Sequence, residues 1–235
     1  MTRLTPIFCL MVITLLFAGS AQAQIRTEGG LALGVGVPQG EFGDQVDQIG
    51  FGGNIFGAVG MPGTPFMVGL DAGFMIYGHE RRNEPFSTTI PDITVDVVTD
   101  NAIASGHFFV RLSPDIPVFR PYADALIGFK YFFTETRIQN ENIDDSEIAR
   151  STNFSDTALS YGFGGGLQFR LFNGIGRAEG PAAVYLDLGA RYLIGSEAAY
   201  LEEGSIRREN GKVTFDVTKS ETTLLDFNLG VTVKF

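Results

Sequence analysis

Apolar and polar side chains alternate with a period of two along much of this chain. The pattern is cleanest at its end, where Leu225, Phe227, Leu229, Val231, Val233 and Phe235 interleave with Asp226, Asn228, Thr232 and Lys234. Successive side chains of a strand point to opposite faces, so this stretch reads as one strand with an apolar face and a polar face. Eight segments share the habit, at residues 30–37, 50–60, 65–78, 102–112, 122–137, 157–171, 183–193 and 222–235. They predict an all-β chain with almost no helix.

The breaks between these segments alternate in length. Residues 61–64, 113–121 and 172–181 are short and carry Pro or Gly, whereas 38–49, 79–101, 139–156 and 194–221 are longer and more polar. A barrel with both chain ends on one rim needs long and short connections in turn, beginning and ending on a long one. The expected fold is therefore an eight-stranded antiparallel up-and-down transmembrane β-barrel spanning residues 24–235. In the last long break, residues 205–215 can turn at Asn210-Gly211, where both positions tolerate positive φ. Strands seven and eight are expected to project past the membrane there as a hairpin.

The N-terminus has a different pattern. Arg3, the apolar run 7–18 and the small-residue pattern Ala21-Gln22-Ala23 read as a secretory signal over residues 1–23. The run is too short for a spanning helix, which needs about 20 residues. Cys9, the chain's single cysteine, falls inside it, so the exported part should have neither disulfide nor thiolate chemistry.

Charge narrows the picture further. With 27 acidic against 17 basic residues the formal net charge is −10. Nucleic acid is not an expected partner, because phosphate binding needs a basic stripe. The acidity reads as solvated loops. Within the strands, an Arg or Lys facing lipid at mid-bilayer costs about 2–4 kcal/mol, so strand charges should face inward. Asp71, Asp124, Asp187 and Asp226, with Arg111, Lys130, Arg170, Arg191 and Lys234, all fall opposite the main apolar row of their segments.

Buried opposite charges stabilise only when paired and hydrogen-bonded, which predicts an interior polar network. His107, Ser105, Asn54, Gln168, Asn228 and Thr232 are available to complete it. Folding the fourth and fifth strands back across 113–121 makes Arg111 a diagonal neighbour of Asp124, the first candidate pair. Eight strands leave a lumen that side chains just fill, so a plugged interior is expected. Phe56, Met67, Met75, Phe109, Leu126 and Phe132 share the inner row, as lumen filler or as the lining of a small apolar cavity.

No cofactor is expected. Gly34-Val35-Gly36 lacks the following helix that would hold a dinucleotide phosphate. His79-Glu80 and the acidic stretch Glu141-Asn142-Ile143-Asp144-Asp145-Ser146-Glu147 lack metal-ligand spacing.

These features together resemble the small eight-stranded outer-membrane barrels, the OmpA-, OmpX- and OmpW-like group. The resemblance covers residues 24–235 and rests on the leader, on the last strand ending in Phe235, and on Leu31-Ala32-Leu33-Gly34-Val35-Gly36-Val37-Pro38-Gln39-Gly40-Glu41-Phe42, which is similar to a common first strand and loop. It implies outer-membrane lipids as surroundings, and the barrel-assembly machinery as a partner that recognises the last strand. No cell-wall-binding domain is expected after that strand. Some barrels of this size are lipid A deacylases with a strand His and Ser two apart. Here Ser105-Gly106-His107 has the reverse order and faces the lumen by parity, so catalysis is not expected.

The leading functional expectation is a non-enzymatic outer-membrane barrel serving envelope structure and surface contact. The runner-up is an OmpW-like narrow route for a small hydrophobic solute. A soluble lipocalin-like barrel would need the two faces reversed.

Overall fold

The computed structural model describes residues 26–87, 90–114, 116, 118–140, 147–174, 183–209 and 212–235. The leader assigned to 1–23, the acidic stretch 141–146 and the Asn210-Gly211 turn lie outside these residues. In chain order the elements are β1 (Thr27–Pro38), α1 (Glu41–Gln45), β2 (Gly50–Gly60), β3 (Phe66–Ser87), β4 (Ile90–Leu112) and β5 (Phe119–Asn140). They continue with β6 (Glu147–Asn173), β7 (Ala183–Gly195), β8 (Glu197–Glu209), β9 (Lys212–Glu221) and β10 (Leu224–Lys234). Eight of the strands close into an antiparallel barrel in the order β1-β10-β7-β6-β5-β4-β3-β2. The first and last strands complete the ring, in a register running from Glu28 opposite Lys234 to Pro38 opposite Leu224.

Alternation places apolar side chains on the outside of this wall. Leu31, Leu33, Phe51, Ile55, Leu70, Phe163 and Phe227 are exposed there, Leu33 by 74%. β1, β2, β7 and β10 contain 12, 11, 13 and 11 residues. That matches the roughly 9–11 residues with which a tilted strand crosses hydrocarbon.

β3 to β6 are far longer than their alternation suggested, at 22, 23, 22 and 27 residues. Most of the long polar breaks 79–101 and 139–156 are strand, paired from Gly78 opposite Asn101 to Pro85 opposite Thr94 and from Thr99 opposite Thr136 to Val95 opposite Asn140. Above the closed wall no face of a strand is obliged to be apolar, so the period-two signal disappears while pairing persists. The β-branched run Ile93-Thr94-Val95-Asp96-Val97-Val98-Thr99 still favours strand. Register shifts between Ile76 and Gly78 and between Thr134 and Glu135 lie where these strands rise beyond their neighbours.

The expected projection of strands seven and eight is corrected. β7 stops at Gly195 and β10 starts at Leu224, while β8 and β9 form a separate two-stranded sheet. That hairpin crosses the outer mouth and packs against strands on the far wall. Its root is tight. The Ser196 N–H donates to Leu159 O at 2.8 Å, and the Thr222 hydroxyl donates to Ser196 O at 3.0 Å. A Cβ on Gly195 would stand 2.1 Å from Thr222 Oγ1 and 2.5 Å from Thr222 O, so only glycine lets the two chains fold over here. Gly195→Val should release the hairpin from the mouth while the barrel persists. Limited proteolysis should then cut within 197–221 faster than in the natural chain, with the compact unboiled gel band retained.

Candidate functional site

The barrel interior carries charge in tiers. Nearest the rim where β1 starts and β10 ends, Arg120 pairs with Glu28 at 2.7 Å, both fully buried, and donates to Ser113 Oγ at 3.1 Å. Sequence reading missed both residues, because Glu28 precedes the first assigned segment and Arg120 falls in an assigned turn. Extending the inner parity of Gly30 and of Tyr122 by one more step would have found them.

In the next tier Arg111 makes a bidentate pair with Asp124, both bonds 2.8 Å, with 1% of the Arg111 residue exposed. The two are directly opposite in register, not diagonal. The Arg111 guanidinium also lies 4.0 Å from the Tyr122 ring centroid and near the Phe56 and Phe109 rings. Asp187 gathers neutral donors: the Tyr122 hydroxyl at 2.8 Å, Gln168 Nε2 at 2.9 Å and the Thr232 hydroxyl at 2.8 Å.

Higher still, Asp71 takes Arg191 at 3.1 Å and Asn54 Nδ2 at 2.6 Å. The Asp71–Arg191 contact crosses between non-adjacent strands, since β3 and β7 lie on different sides of the ring. Lys130 donates to two backbone carbonyls, Leu193 O at 3.2 Å and Thr222 O at 2.7 Å, and so ties β5 to the root of the hairpin. Asp226 shares with Lys130 the lining of a cavity of about 40 Å³. A space of that size has room for about two water molecules.

His107 is buried, its Nε2 2.9 Å from Ser160 Oγ, while its Nδ1 has no hydrogen-bond partner. Ser105 is not its partner. A hydrolytic relay would need a carboxylate on that second nitrogen and a hydroxyl facing substrate, and this pair has neither. Two expected members lie toward strand ends. Arg170, partly exposed near the end of β6, joins none of these pairs among the described residues, and Lys234 sits partly exposed at the end of β10. Among the described residues no group of three or more His, Cys, Asp or Glu could hold a metal ion.

The outer mouth is apolar within and polar around its edge. Phe42, Tyr77, Ile103, Phe132 and Ala158 pack together with Tyr200 of the hairpin. Around them Arg82 donates to Ile206 O at 2.9 Å, the Gly204 N–H donates to Glu80 at 3.2 Å, and Gln48 bonds Glu203. Asp156 accepts the Ala199 and Thr157 N–H groups, each at 2.8 Å, and those two bonds hold its carboxyl below the usual range. Above the mouth β3 to β6 are joined by Arg81–Asp96 at 2.5 Å, His79–Asp100 at 2.6 Å and Arg150–Glu135 at 2.8 Å.

Fold and interior define the class: a closed eight-stranded up-and-down barrel, charged inside and apolar outside. No family model matches the chain, and no curated protein matches it. Solved structures similar to it include the attachment invasion locus protein Ail of Yersinia pestis, crystallised with the heparin analogue sucrose octasulfate. It has 15% identity and a TM-score of 0.38, covering 90% of this chain and 99% of that one. The Neisserial surface protein A matches at 14% identity and a TM-score of 0.37, covering 89% and 95%. A major outer membrane protein of Thermus thermophilus matches at 15% identity and a TM-score of 0.45, covering 89% and 99%.

Two expected outcomes follow from the pairs. Arg111→Asp or Asp124→Arg alone should destabilise the barrel by about 3–5 kcal/mol in urea unfolding from vesicles, because each leaves a buried charge unpaired. The double exchange should recover part of that loss. At the mouth, a carboxylate with a lowered folded pKa stabilises fully above its ordinary value of about 4 and loses that stabilisation as pH falls through the folded value. The Ala199 amide should therefore lose hydrogen-exchange protection on acidification below that range, and Asp156→Asn should remove the pH dependence.

Proposed function

We propose that this chain is an integral outer-membrane barrel that is closed to solutes, carries out no catalysis, and serves envelope structure and contact at the cell surface. The inversion of its wall carries the reading. Large apolar residues are exposed around the outside, whereas the Glu28–Arg120, Arg111–Asp124 and Asp71–Arg191 pairs lie inside. A water-soluble barrel would bury the first set and expose the second. In lipid the arrangement satisfies both the hydrocarbon and the charges.

The closed interior favours a structural role over a solute route. Its central cavity of about 40 Å³ is smaller than ligand sites, which run to about 300–1,000 Å³. Surface contact falls to the part that rises above the wall, formed by β3 to β6 and the hairpin. Outer-membrane lipids surround the wall, and the barrel-assembly machinery recognises β10 together with the exposed Phe235 that follows it.

Refolding into lipid vesicles tests this. The expected result is a compact band that shifts on boiling, protease cleavage confined to the outer loops, and no stable conductance in planar bilayers. A protein that stays in water without inserting would overturn the membrane reading, and a persistent open pore would overturn the closed one.

A further inference from the structure

The loop between β1 and β2 carries α1, a single helical turn that buries one side chain. Gly40, at φ 58°, makes the bend before it, a conformation that favours glycine. Phe42 is completely buried, while Glu41, Asp44 and Gln45 around it are exposed. Its ring meets three others edge to face: Tyr77 at 5.7 Å and 66°, Phe132 at 5.8 Å and 88°, and Tyr200 at 5.1 Å and 83°. Such T-shaped contacts are the preferred geometry for aromatic pairs. Both tyrosine hydroxyls have partners elsewhere: Tyr77 donates to Leu201 O at 3.3 Å, and Tyr200 Oη lies 2.8 Å from Ser220 Oγ. The enclosure around the Phe42 ring is therefore apolar and aromatic on several sides.

Beyond the ring itself, the segment is held by Val46, buried in the same cluster, and by the Gln39 N–H, which donates to Thr223 O at 2.9 Å. α1 has no side-chain cap, and a helix of one turn has no stability of its own. Its outer ties to the hairpin are the Glu221 N–H donating to Glu41 at 3.1 Å and the Gln48–Glu203 bond, both at exposed positions. Beside the enclosure, a pocket of about 160 Å³ opens at the seam between α1 and the hairpin, lined by Val46, Gln48, Tyr77, Asn101 and Glu202.

We infer that the enclosure formed by Tyr77, Phe132 and Tyr200 is a binding site for a single aromatic ring, and that Phe42 occupies it as a tethered internal ligand which an external ring displaces. The inference goes beyond a closed structural barrel. The site faces the outside of the cell and lies beyond the charged tiers, so a ligand reaches it without crossing the wall. Occupancy by Phe42 lowers the apparent affinity in proportion to the time the loop spends away, since a site that is rarely open binds weakly. Ring capture and loop release are then the same event.

The probe is p-cresol, with 4-methylcyclohexanol as a non-aromatic control of similar shape that also partitions into lipid. In the full chain inserted in vesicles, a fluorophore on Asp44→Cys reports loop release, and saturation-transfer NMR on the ring protons reports binding. The expected result is a saturable response to p-cresol and none to the control, with Phe42→Ala binding at least about tenfold more tightly than the natural chain. Phe42→Leu, which keeps an aliphatic plug, should fall between them, and it supplies the comparison should the alanine variant lose its compact unboiled band. Equal, non-saturating responses to the two compounds would overturn the inference, as would unchanged affinity on removal of the Phe42 ring.

Discussion

The structure depends on closing the sheet between β1 and β10. Within hydrocarbon an unpaired backbone N–H or C=O costs several kcal/mol, and a closed ring of strands is the only sheet with no edge. The register from Glu28–Lys234 to Pro38–Leu224 supplies that closure. Once it is made, every strand has a lipid side and a lumen side, and each side chain must suit one of them. The exposed belt of Leu, Ile and Phe and the buried charges are two consequences of the same ring.

Enclosing charges brings a second constraint. A lone buried ion is costly, so each interior cation needs a partner at a definite height and angle. Arg111 and Asp124 meet this locally, across one pair of adjacent strands. Arg191 and Asp71 meet it across the lumen, and Lys130 meets it with carbonyls at the hairpin root. The cross-lumen contacts couple strands that share no backbone bonds. A slip of β3 or β7 by one residue would turn a paired charge toward lipid, so the polar tiers also guard the register.

Above the membrane the constraints change. β3 to β6 rise as a paired sheet stitched by ion pairs whose cationic side is exposed, which individually contribute little. On the other side β7 and β10 end early, and their connection folds inward over the mouth. The asymmetry lets the hairpin reach the opposite wall and complete the aromatic enclosure around Phe42. The two sides of the mouth thus differ in kind: one is a continuation of the barrel wall, the other a segment laid across its opening.

The amino-acid pattern alone determined the fold class, the number of barrel strands, the two faces and the inward placement of Asp71, His107, Arg111, Asp124, Lys130 and Asp187. These depend on a period of two and on the cost of charge in lipid, both local to a strand. It also placed Arg111 near Asp124, because a short turn joins their strands. Only the tertiary structure decided what depends on distance across the ring or on leaving the membrane. Asp71 finds Arg191, and Asp187 finds Tyr122, through the curvature of a closed sheet, which no single strand encodes. The upper halves of β3 to β6 carry no alternation because both faces can be polar there, and the fold of the hairpin rests on a close approach at Gly195 that spacing does not reveal. Phe42 read as part of a loop because its burial depends on three rings that meet only when the barrel is closed.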